Sequence, residues 1–352
     1  MLFRSDELSK VISLESISAS QVSRRLRNLP TAATQELFKS LNLEVGKKIG
    51  FDKIRNELGK INLIDSSTIS MCLSRYPWAE FRKTKSGVKL HLRLRFIENG
   101  VIPDKAIVTP ARPADKTQMD NLVVEEKDAL NVFDRAYVDY KKFDNYCENG
   151  IRFVTRLKGN AIVNIEQELP LEPESPIKKE SIVYLGTEGI NKMQHPLRLL
   201  ETIDTQGKQV LILTNDFARS AGQIGDIYRS RWQIEIFFKW IKQHLRIKHF
   251  YGLSRQAVEN QLFIALITYC LLVLVKLKTS YRGPLLTIKR VLRACLYDSF
   301  ETFVRKLCRE PMHLSKGRRK IDHEKIYQET VRQVMNNEGD LLYDTTHDPV
   351  IL

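Results

Sequence analysis

The sequence predicts an α/β fold: a mixed sheet flanked by helices, with a β-rich insertion ahead of the last helices and helical regions at both ends. Three observations predict it. GVKLHLRLRF, residues 87–96, alternates apolar and polar residues strictly, the period of a half-buried strand. Between residues 61 and 157 short apolar runs alternate with helix-like stretches. LFIALITYCLLVLV, residues 262–275, is a continuous apolar run, read as a buried core helix too short to span a bilayer comfortably.

The elements follow in order. SLESISASQVSRRLRNLPTAATQELFK, residues 14–40, predicts two short helices broken near Pro30, and SASQVSRRL resembles the opening of a DNA-contacting helix. INLID, residues 61–65, is a strand closed by Asp65, although the following SST would also suit a turn cap. Residues 87–96 form the next strand, with Lys89, His91 and Arg93 on its polar face. KAIVTP, ending at Pro110, forms a third. Residues 114–129 are expected to be a helix, LNVFD at 130–134 a strand closed by Asp134, residues 137–148 a helix, and IRFVTRL at 151–157 a strand. Residues 160–216 carry Pro170, Pro173 and Pro176 in a loop and three strand-like runs, SIVYLG, HPLRLLETI and KQVLILTND. The expected divisions are an N-terminal helical DNA-binding region at 1–58, core segments at 59–158 and 218–280 around a β-rich insertion at 159–217, and a C-terminal helical region at 281–352.

The chain has 352 residues, with 56 Lys plus Arg against 42 Asp plus Glu, a formal charge of +14. So large an excess bears on partners more than on fold and points to nucleic acid or an anionic membrane, although a merely basic enzyme would carry it too. Five scattered cysteines without a C-x-x-C pair indicate neither a disulfide framework nor a zinc site, which fits a reducing cytoplasm. The N-terminus lacks a signal-peptide core, and no membrane partner is expected.

YRSRWQIEIFFKWIKQHLRIKHF, residues 228–250, holds a single acid, Glu235, in a basic and aromatic stretch. On one continuous helix at about 100° per residue, Tyr228, Arg231, Glu235, Lys239 and Lys242 share a stripe, and apolar residues cover most of the rest. Alone, that stripe reads more readily as an ion-paired amphipathic helix than as a site, since Glu235 and Lys239 stand four apart and Arg231 could pair with the same acid. Asp65 and Asp134, each closing a strand, change the balance. Ligands bind at strand ends in open α/β sheets, and three carboxylates suit divalent cations through oxygen ligands.

With these residues in place, the chain resembles the DDE transposases of bacterial insertion sequences, in particular the insertion sequence 4 family. The signature Tyr228, Arg231, Glu235 and Lys242 carries the resemblance, together with LIDSSTI around Asp65, VFDRAYVDY around Asp134, residues 78–91 and LTNDF at 213–217. It runs from about residue 14 to the C-terminus. Ala136 stands where the family usually has Gly, and the N-terminal region is shorter than in typical members. The resemblance implies an RNase H-like catalytic core in which Asp65, Asp134 and Glu235 hold two Mg²⁺ ions, with Mn²⁺ able to substitute. It also implies cut-and-paste transposition on double-stranded DNA: cleavage at the terminal inverted repeats, then strand transfer into target DNA by a homodimer. Arg231 and Lys242 would bind phosphates and Tyr228 would position a phosphate or a base. Lys239, Lys89, Arg93 and the basic run at 315–320 are further candidate duplex contacts. Another RNase H-like nuclease, or a non-catalytic DNA-binding remnant acting as an inhibitor, stays open as an alternative.

Overall fold

The computed structural model describes residues 2–4, 16–50, 60–97, 100–171, 176–203 and 207–309, with residues 328 and 332. The basic run at 315–320 lies outside the described residues. The chain divides into two compact units. One comprises Met1–Phe51, Ile69–Val88 and Glu235–Leu352, and the other Asp52–Thr68 and Lys89–Ile234.

The second unit is built on a mixed sheet. Its strands are β3 (Lys60–Met71), β5 (Lys85–Ile97), β6 (Gly100–Pro110), β7 (Ala129–Phe133) and β8 (Arg152–Arg156), then β9 (Val163–Leu169), β10 (Lys179–Leu185), β11 (Leu197–Ile203) and β12 (Gln209–Thr214). The order is β5-β3-β7-β8-β12-β11-β10-β9, with β6 on β5. β3, β7 and β8 are parallel, whereas β8, β12, β11, β10 and β9 are antiparallel. The β-rich block is thus hydrogen-bonded onto the sheet through β12 and β8. Its strand β9 has no counterpart among the expected strands: a mostly exposed edge strand carries little apolar alternation to read.

Helix α4 (Tyr140–Glu148), capped by Asp139, covers this sheet, and Phe143 stacks on Phe153 of β8 at 4.5 Å between ring centroids. The helix expected over 114–129 is absent. A 3-10 turn at Asp115–Gln118 and one helical turn, α3 (Met119–Leu122), give way to extended chain. The buried side chain of Asn131 explains this, because it accepts from the Val124 amide at 2.9 Å and donates to the Val124 carbonyl at 2.9 Å. Those backbone groups are satisfied without a helix.

The first unit is largely helical. Strands β1 (Leu2–Arg4) and β2 (Ser16–Ser18) pair antiparallel, and helices α1 (Ala19–Asn28) and α2 (Thr31–Ile49) meet at Pro30 as expected. Strand β4 (Glu80–Arg82) pairs with the start of β5. Helix α7 (Arg255–Thr279) is the centre. By length and composition it could cross a membrane, so it is longer than the apolar run alone suggested. More than half of its most apolar window is buried inside the protein, as in a core helix. Its Asn260 amide ties the α1–α2 junction, donating to the carbonyls of Leu26 and Leu29 and accepting from Thr34 Oγ1 at 2.8 Å. Helices α8 (Leu285–Ala294) and α9 (Phe300–Leu307) follow.

Candidate active site

The parallel register between β3 and β7 positions the site. Ile64 lies opposite Phe133, so Asp65 and Asp134 are the next residues on two neighbouring strands, whose spacing in a sheet is about 4.8 Å. Asp65 does not close its strand, because β3 runs on to Met71; it is the pairing with β7 that ends at Ile64. Asp134 does close β7 and begins a 3-10 turn at Arg135–Tyr137 without a side-chain cap bond. Both carboxylates are half-buried.

Asp65 accepts from the Ser66 amide at 2.7 Å and lies 3.7 Å from the Arg231 guanidinium. Asp134 makes no side-chain hydrogen bond or ion pair among the described residues. Sequence reasoning missed three neighbours. Ser66 Oγ donates to Asp115 at 2.6 Å, and Asp115 pairs with Lys89 at 3.0 Å. Tyr137 is fully buried, and its hydroxyl has no hydrogen-bond partner in normal geometry among the described residues. Burial first, then the negative charges of Asp65 and Asp115, push that hydroxyl's pKa far above the tyrosine range. The available signal for Tyr137 was its place three residues after Asp134; Asp115 sat in a stretch that read as helix.

Tyr228 and Arg231 do not share a continuous helix with Glu235. Helix α5 (Ala221–Arg229) ends at Ser230, and α6 (Trp232–His244) begins after a tight junction of i→i−3 bonds, Arg231 to Tyr228 and Ile234 to Arg231. The single stripe read from the sequence is therefore broken at this junction. Ser230 contributes by donating its hydroxyl to the Ile227 carbonyl at 2.7 Å. Tyr228 is half-buried, and burial, partly opposed by Arg231, pushes its pKa up to about 12. Helix α5 is held by the LTNDF segment. Asp216 accepts from the Ala218 and Arg219 amides, while the buried Arg198 pairs with Glu180 and donates to the carbonyls of Asp216 and Arg219.

Arg93 points elsewhere, to Asp104 and the Leu122 carbonyl. The polar face of β5 is accordingly not an open basic face: Lys89 and Arg93 are ion-paired and His91 is buried. The boundary between the two units falls inside α6, between Ile234 and Glu235. Glu235 and Lys242 are half-buried on that helix, and Lys239 is buried, unlike a residue on an open DNA-binding surface. Among the described residues no group of three or more His, Cys, Asp or Glu is placed to hold a metal ion. The sheet unit contributes two adjacent carboxylates, Asp134 having no side-chain partner among the described residues, and an oxygen-only donor set of that kind suits a hard divalent cation.

An acidic pair at the end of a mixed α/β sheet, flanked by an arginine and two tyrosines, is an arrangement suited to phosphoryl chemistry. The family described as transposase DDE domain matches residues 57–271, and the chain belongs to that family. It is 28% identical over 261 residues to a protein named as transposase for insertion sequence element IS5377 in Geobacillus stearothermophilus, covering 72% of this chain and 66% of that one. It is 31% identical over 245 residues to the protein named transposase y4zB in Sinorhizobium fredii, covering 68% and 67%. A protein of Synechocystis named for insertion sequence element IS4SA is 23% identical over 302 residues, covering 83% and 82%. The chain thus spans about two thirds of the length of the first two relatives.

Proposed function

We propose that this chain is a DNA transposase of the insertion sequence 4 kind, with an RNase H-like core that cleaves DNA at element ends and joins them to target DNA. The observation that carries the reading is the β3–β7 register, which sets Asp65 beside Asp134 in a chain of the transposase DDE domain family.

Asp65 and Asp134, with Glu235 as the third acid, are the residues that would hold two Mg²⁺ ions, or Mn²⁺ in their place. Such ions supply Lewis acidity to the phosphate and lower the pKa of water. In the first step water attacks the phosphodiester, a new P–O bond forms, and the bond to the 3′ oxygen breaks to leave a 3′-hydroxyl. In the second, that hydroxyl attacks a target phosphodiester: a new P–O bond joins the element's 3′ end to the target phosphate, and the bond to the target's 3′ oxygen breaks to leave a target 3′-hydroxyl. Arg231, beside Asp65, would neutralise phosphate charge as it develops, and Lys242 would hold a flanking phosphate. The Tyr137 hydroxyl would donate a hydrogen bond to an oxygen between the aspartates. Terminal inverted repeats and a second copy of the chain complete the reading.

The test uses the full chain and labelled duplexes carrying the DNA that flanks its own coding sequence, with Mg²⁺ or with EDTA. Cleavage is expected from the wild type alone, and not from Asp65→Asn, Asp134→Asn or Glu235→Gln. Calorimetric Mn²⁺ binding should weaken in all three. Cleavage that survives EDTA or these substitutions overturns the reading, and DNA binding without cleavage by any form favours the non-catalytic remnant.

A further inference from the structure

Four described surface cations of the helical unit have an acid close by: Lys39 beside Glu36, Lys47 beside Glu44, Arg255 beside Glu259, and Lys306 beside Asp298. The cations around the end of α6 and on α8 do not. Arg246 and Lys248 lie on the turn after α6, and Lys289, Arg290 and Arg293 lie on α8; none of the five pairs with an acid among the described residues. All but Lys289 are exposed. Lys289 donates to the His244 carbonyl at the end of α6. Burial, then the neighbouring positive charges of Arg246, Arg293 and Arg290, hold its pKa below the usual lysine value, with no acid among the causes.

The turn is built to keep this arrangement. Buried Gln261 of α7 donates to the carbonyls of His249, at 2.8 Å, and Arg246, and accepts from the Tyr251 amide at 3.0 Å. Arg246 is held at φ +54°, in the left-handed region that residues other than glycine seldom adopt. On α8, Leu285 and Ile288 are buried, which leaves Arg290 and Arg293 outward. Repulsion among cations that no described acid offsets raises the energy of the free protein, and a polyanion relieves it by charge neutralisation and counterion release.

We infer that the α6–α7 turn and α8 form a second nucleic-acid surface that grips the phosphate backbone of duplex DNA without reading sequence. The inference rests on the reading of this chain as a DNA-processing enzyme, but it concerns a surface apart from the acidic pair. Contacts of this kind position a duplex and do not select it.

The test measures binding of the full chain to a short fluorescein-labelled duplex of mixed sequence by anisotropy, in EDTA and over a series of salt concentrations. Two triple variants are compared: Lys248→Ala/Arg290→Ala/Arg293→Ala on the surface, and Lys39→Ala/Lys47→Ala/Arg255→Ala among the paired cations. Both remove the same charge at exposed positions, and thermal melts check folding. The surface variant should lower the slope of log K against log salt by about 0.9 for each phosphate that it no longer neutralises and weaken binding at least tenfold, while the control stays near wild type. Equal effects of the two variants, an unchanged surface variant, or no binding by the wild type overturns the inference. Because EDTA removes catalysis from the readout, failure here leaves the cleavage test of the acids untouched.

Discussion

Arg231 stands 3.7 Å from Asp65, at the junction where α5 gives way to α6. Both side chains are about one-fifth exposed, so their attraction is only partly screened. The arginine can leave the carboxylate for a phosphate at small cost. Arg231→Ala should lower DNA cleavage about a hundredfold, the scale of removing one electrostatic stabiliser from a reacting group. Stability should change by no more than about 1 kcal/mol. Cleavage rates and urea unfolding on the same samples check this; a large stability loss would make the pair structural.

Tyr137 offers the opposite sign. A buried hydroxyl without a partner costs about 1–3 kcal/mol, so Tyr137→Phe should raise the unfolding midpoint while cleavage falls. A variant that loses stability would show that the hydroxyl is satisfied in the folded protein.

Arg198 is held by Glu180 and by the carbonyls of Asp216 and Arg219, and Arg198, Glu180 and Asp216 are buried. Arg198→Met should cost about 3–5 kcal/mol, because it leaves the carboxylate buried and unpaired. Adding Glu180→Leu should restore a good part of that loss. Chemical unfolding of the single and double variants measures the difference.

His91 sets a pH dependence. It is buried against Thr109, and burial lowers its pKa from 6.5 to about 4. Between those values the unfolded chain binds more protons than the folded one, so stability rises with pH across the window. It is fully present above pH 6.5 and is lost as pH falls toward 4, by roughly 3 kcal/mol for this group. Urea unfolding of wild type and His91→Leu at several pH values should show a flatter profile for the variant between these limits.

Periodicity made parts of the fold legible. The strict alternation of Val88, Leu90, Leu92 and Leu94 needs no tertiary partner to be read as a strand, and all four are buried. The turn signal at Pro30 likewise placed α1 and α2. What stayed hidden depends on distant partners. The 114–129 stretch has helix-like composition, but Asn131 from a later strand takes the Val124 backbone groups. The break between α5 and α6 escapes a helical wheel because i→i−3 bonds preserve local compactness while ending the regular repeat. In the site, Asp65 and Asp134 stood out because apolar runs lead into them. Asp115 did not, since only the folded sheet unit brings it to Ser66 and Lys89.

The β3–β7 pairing also bears on how the chain is made. β3 is complete long before Ala129 begins its parallel partner, and parallel pairing across so long a separation is slow. Until β7 arrives, the nascent chain carries Lys60–Ile64 as a strand with that hydrogen-bonding edge open, a template for association with other chains. The register that sets two aspartates side by side is therefore also a vulnerable moment in biosynthesis, one that a chaperone would cover and slow translation through residues 72–128 would prolong.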